Sequence, residues 1–132
     1  MAIWYSGVFA KRHDRGDKTV VVDFDGTICE DDCFPGFGKP MAGVKEALNK
    51  FKEAGLDIVI LSCRIDPTAP KMMEDQKRRM EEWLDEHEIP YTRIDDGTEG
   101  KVRGLVYVDN KALHYKGGND WERVCKKVLS LR

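Results

Sequence analysis

Along this chain the apolar positions gather into short near-continuous runs that alternate with longer stretches patterned every three to four residues. Thr19-Val20-Val21-Val22-Asp23-Phe24 and Asp57-Ile58-Val59-Ile60-Leu61-Ser62 are β-branched and almost uninterrupted, as expected of parallel strands covered on both faces. Leu105-Val106-Tyr107-Val108-Asp109 reads as a third buried strand, and Tyr91-Thr92-Arg93-Ile94 as a short edge strand. Residues 3 to 9 alternate enough for one more, followed by a charged loop.

Between these runs lie helical stripes. Val44, Ala47, Leu48 and Phe51 share one face of a helix from about Met41 to Ala54, and Gly55 is placed to stop it. Met73, Met80, Trp83, Leu84 and His87 do the same from about Pro70 to His87, with Thr68 as a candidate cap. A last helix begins at Asn119 or Asp120, and Trp121, Val124, Cys125, Val128 and Leu129 form its apolar stripe. Trp121 is therefore expected in the core. Residues 29 to 40 carry Pro35, Gly36, Gly38 and Pro40, which break regular structure and suggest a flexible loop, a candidate lid.

Strands alternating with helices imply right-handed crossovers and an α/β fold: a Rossmann-like, doubly wound three-layer sandwich with a mainly parallel sheet. Length supports a single domain over residues 1–132, since a chain of this size buries roughly two-thirds of its unfolded surface without staples. A net charge of −2 supplies no basic field for strong nonspecific nucleic-acid binding. No apolar run reaches membrane-spanning length and the start lacks a leader pattern, so a cytoplasmic protein without membrane partners is expected. Cys29, Cys33, Cys63 and Cys125 contain no Cys-x-x-Cys, and reduced thiols are the simpler reading.

Polar residues at the strand ends carry the chemistry. In a parallel sheet all carboxyl ends share one edge, and there the three apolar strands finish with Asp23 and Asp25, with Ser62, and with Asp109. Asp23 and Asp25 alternate, so both side chains can point to one side of the strand end, and Gly26 permits a sharp exit. Each position also has a plainer use. Acids and Thr build turns, a Ser at a strand end is common, and Asp109 can cap its own loop.

Asp23-Phe24-Asp25-Gly26-Thr27 after a hydrophobic strand resembles the first motif of the haloacid dehalogenase superfamily, mostly phosphohydrolases that use an aspartate nucleophile. Ile60-Leu61-Ser62 is similar to the second motif. Lys101 followed by Val108-Asp109-Asn110-Lys111-Ala112 resembles the Lys, apolar strand, Asp-Asp-Arg-Ala arrangement of small members, with Asn110 and Lys111 replacing the second Asp and the Arg. The resemblance runs from about Thr19 to Ala112 and leaves no room for a cap domain.

By that resemblance Asp23 is the nucleophile that forms an aspartyl phosphate, and Asp25 the acid and base. Ser62 and Lys101 bind phosphate, as does Thr27, for which a structural role in the turn is nearly as good a reading; the turn amides around Gly26 are further donors. Two like charges about 4 Å apart repel by on the order of 4 kcal/mol at an effective dielectric near 20, so clustered acids call for a cation beside a phosphate. The resemblance makes it Mg²⁺, held by the side chains of Asp23 and Asp109 and the backbone carbonyl of Asp25, with Asn110 a neutral or outer-shell ligand. A phosphomonoesterase follows, its partner a phosphorylated substrate, small or macromolecular, such as a nucleotide or polynucleotide end. The alternatives are a receiver-like phosphoacceptor and a noncatalytic phosphate- or metal-binding module.

Overall fold

The computed structural model describes residues 16–132, so the strand expected at residues 3 to 9 lies outside it. Four strands, β1 (Thr19–Asp23), β2 (Asp57–Leu61), β3 (Arg93–Ile94) and β4 (Val106–Val108), form one sheet in the order β3-β2-β1-β4. All three pairings are parallel. Three helices accompany them: α1 (Val44–Glu53), α2 (Pro70–Glu86) and α3 (Trp121–Ser130). The architecture is α/β and Rossmann-like.

Strand register decides what faces what. Val20 and Val22 lie beside Ile58 and Ile60, and with Phe24 they form one apolar row on the sheet. Val44 and Leu48 of α1 and Met80, Trp83 and Leu84 of α2 join that same cluster, so both helices cover this face. Val21 and Val59 project to the other face and are also buried. Two crossovers running in one direction, β1 to β2 and β2 to β3, put their right-handed helices on one side. From β3 the chain returns past β1 to β4, which makes the carboxyl end of β1 a topological switch point.

Some local expectations change. Helix α1 starts at Val44, because Gly43 takes a left-handed φ of 83°, while Gly55 at φ 81° ends it as anticipated. Thr68 does not cap α2. Its hydroxyl and amide bond Asp66 Oδ1 instead, and Ala69 precedes the helix. Strand β4 is exposed rather than buried, and Trp121 is 67% exposed, tilted against the Tyr115 ring. Val128 and Leu129 are likewise open, so the α3 stripe is not core among the described residues. No helix among them is long and apolar enough to cross a membrane.

Candidate active site

Asp23 ends β1 opposite Leu61, and the next amide, Phe24 N–H, donates to the Leu61 carbonyl at 3.0 Å. This bond carries the sheet register one residue past the strand and sets Ser62 across from the acids. Val22 pairs with Val108, which brings Asp109 to the other side of Asp23. Three neighbouring strands therefore deliver Asp23, Ser62 and Asp109 to one edge, with β1 in the middle.

The turn after Asp23 is tight. Phe24 O accepts from the amides of Thr27, Ile28 and Cys29, and Gly26 N–H donates to Cys29 O at 2.8 Å. The Gly26 and Thr27 amides, expected to be open to a phosphate, are thus spent inside the turn. Gly26 itself has φ 84°, and a Cβ there would fall 2.3 Å from Asn110 Nδ2. The left-handed φ is what calls for glycine, since the Asn110 side-chain tip could swing away from a Cβ.

Thr27 ties the two loops. Its hydroxyl accepts from Asn110 N–H at 3.1 Å and makes a long 3.5 Å bond to Asp23 Oδ2. Asp109 Oδ1 accepts from Lys111 N–H at 2.7 Å, and Ser62 Oγ from Arg64 N–H at 3.1 Å. Ser62 keeps its own proton to donate. Lys101 stands apart from this edge: its Nζ lies 5.2 Å over the Tyr107 ring, on a residue paired with Val21, below the strand ends.

Electrostatics single out Asp23. Burial, then the charge of Asp109, then that of Asp25 push its carboxyl from the ordinary 3.8 up to about 6. The Phe24 amide opposes the shift by more than Asp25 adds to it, and the Thr27 hydroxyl opposes it least. A carboxyl raised mainly by burial beside two more acids is a place where bound positive charge is stabilised.

Among the described residues no three His, Cys, Asp or Glu side chains group as a metal cage. Mg²⁺ does not require one, since it keeps several waters and takes one or two carboxylates. Asp23 and Asp109, both hard oxygen donors, fit that habit, and the resemblance makes the Asp25 carbonyl a third donor.

No pattern in the sequence marks Arg64. It follows Ser62 by two residues and is only 2% exposed. Its Nε and Nη2 fork onto Asp25 Oδ2 and Oδ1 at 2.9 and 2.8 Å. Charged side chains are rarely so buried unless paired, and the partner lies 39 residues away, where no local pattern can reveal it.

The loop at residues 29–40, expected to be flexible and a candidate lid, is tied to the rest of the fold at several points. Cys29 bridges to Pro40 at its base, Glu30 N–H donates to Lys39 O, and Trp83 Nε1 donates to Gly38 O at 3.1 Å. Phe37 packs edge-on to Phe24 and stacks near Trp83.

No family model matches the chain, and no curated protein matches it. Solved structures do share its architecture. A conserved protein of Bacteroides thetaiotaomicron superposes with a TM-score of 0.53 at 19% identity, over 89% of this chain and 93% of that one. A protein of Vibrio cholerae gives 0.51 at 24% identity, over 87% of this chain and 99% of that one. At such identities the likeness shows the fold alone: an α/β Rossmann-like domain.

Proposed function

We propose that this protein is a Mg²⁺-dependent phosphomonoesterase of the haloacid dehalogenase type, acting through an aspartyl phosphate on Asp23. The observation that carries this reading is the meeting of Asp23 and Asp109 on adjacent strand ends at the switch point, with Ser62 across the sheet.

Asp23 attacks phosphorus through a carboxylate oxygen while the ester oxygen leaves, and Asp25 supplies the proton that the leaving oxygen takes. A water then attacks the aspartyl phosphate, Asp25 takes its proton, and inorganic phosphate departs as Asp23 is regenerated. Ser62 donates its hydroxyl hydrogen to a phosphoryl oxygen. Thr27 fixes the carboxylate it touches and joins it to the Asn110 loop, which favours the structural half of its two readings. Bound Mg²⁺ would neutralise charge between the acids and the phosphate.

Lys101 completes the phosphate site by resemblance. Its resting contact with the Tyr107 ring is an exposed cation–π pair worth about 0.5–1 kcal/mol, which a phosphate can outcompete. The resemblance leaves no room for a cap between its motifs, and an edge open in that way suits a terminal phosphate on a nucleotide or polynucleotide end.

The two grips on Asp25 favour a second reading, a noncatalytic metal- or phosphate-binding module, because both oxygens are already engaged. A phosphate-release screen over nucleotides, sugar phosphates, phosphopeptides and 3′- or 5′-phosphorylated oligonucleotides separates them. Turnover with Mg²⁺ that EDTA abolishes supports the esterase; Mg²⁺ binding without release from any substrate supports the module.

A further inference from the structure

We propose that Arg64 is a positioning residue that couples the orientation of the Asp25 carboxylate to the placement of the loop at residues 34–37. This rests on the esterase reading for what Asp25 does, but not for the coupling itself.

A guanidinium carries five N–H donors, and here all five have acceptors. Nε and one hydrogen of Nη2 take the two oxygens of Asp25. The other hydrogen of Nη2 takes Gly36 O at 2.8 Å. Nη1 takes Gln76 Oε1 at 3.2 Å and, at a longer 3.4 Å, Pro35 O. The faces of the plane are occupied too, by the rings of Phe37 at 4.3 Å, Phe34 at 5.3 Å and Phe24 at 5.5 Å. With no donor spare, Arg64 does not serve as a direct phosphate ligand without giving up a bond it already makes.

Rigidity makes this a coupling and not a set of separate contacts. Asp25 Oδ1 and Gly36 O share one nitrogen whose two hydrogens lie in one plane, so the angle between carboxylate and loop backbone is fixed. The fork also uses one lone pair on each carboxylate oxygen and leaves the others facing away from Arg64. Asp25 can exchange a proton only in that remaining direction. A loop displaced at Gly36 tilts the plane and turns the acid with it.

Lysine is the sharp substitution, because it keeps a charge but offers three donors and no plane. Hydrogen exchange read by mass spectrometry on the metal-free full chain should show residues 30–40 of Arg64→Lys exchanging about tenfold faster, with β2 and α1 unchanged. Asp25→Asn should loosen the same segment by a smaller factor, and the double variant should add little to Arg64→Lys, as expected of one shared device. Kinetically, Arg64→Lys should lower kcat by about 100-fold with KM within about threefold, the signature of a misplaced group and not of lost substrate binding. Millimolar guanidinium should restore part of kcat to Arg64→Ala.

A loop as protected in Arg64→Lys as in the natural protein would overturn the coupling, as would additive exchange in the double variant. A raised KM at unchanged kcat would make Arg64 a substrate contact instead. If the natural protein turns over no phosphate ester, the esterase reading fails by itself, and the exchange experiment still decides the coupling.

Discussion

Asp23 holds its proton up to about pH 6, against an ordinary 3.8, first through burial and then through the charges of Asp109 and Asp25. Between those two values the unfolded chain has released this proton and the folded chain has not, so stability falls as pH rises through that window. The group is only partly buried, and solvent screening leaves on the order of 1 kcal/mol. In EDTA at pH 7.5, Asp23→Asn should therefore melt about 3 °C above the natural protein, a difference that vanishes below pH 4. Millimolar Mg²⁺ should raise the melting temperature of the natural protein and leave Asp23→Asn unmoved. Thermal scans across pH with and without the metal check both statements. Arg64 acts at the same scale with the opposite sign. Arg64→Ala leaves the largely buried Asp25 carboxylate without its paired cation and should cost about 3 kcal/mol in urea unfolding. None of this is visible in the order of residues, because Arg64, Asp25 and Gln76 meet only after the chain has folded.

Strands β1 and β2 were legible in the sequence because a continuous β-branched run has few other uses, and the strand ends could be located from their first polar residue. Strand β4 shows the limit of that signal. Val106, Tyr107 and Val108 are a similar apolar run but, among the described residues, sit at the end of the strand order and are exposed, and such a run does not say which neighbours will cover it. The 29–40 loop shows a similar limit: Pro and Gly mark irregular backbone, whereas the bonds that tie it down come from distant donors, Arg64 and the Trp83 indole. Trp83→Phe removes the indole bond to Gly38 O at nearly constant ring packing and should cost about 1 kcal/mol, measured by urea midpoint at unchanged slope. Leu84 is fully buried in α2 against the sheet, and Leu84→Ala should cost about 2–5 kcal/mol by the same measurement.

At the scale of the whole molecule, topology does what local sequence cannot. Residues 23, 62 and 109 become neighbours because β2 and β4 flank β1 in parallel, so every carboxyl end shares one edge. The alternation of strands and helices announced that edge, and the polar residues ending the strands announced which side chains it gathers. Lys101 is the exception, resting over Tyr107 in the structure, and its part in phosphate binding is tested by Lys101→Ala, for which kcat/KM should fall by at least about tenfold. The most direct test of the central claim is Mg²⁺-dependent phosphate release by the natural protein and by Asp23→Asn, each pure and with matched circular dichroism. Turnover by the natural protein that drops by about 1,000-fold or more in Asp23→Asn is the result predicted for a carboxylate nucleophile. Comparable turnover by the two proteins would contradict it.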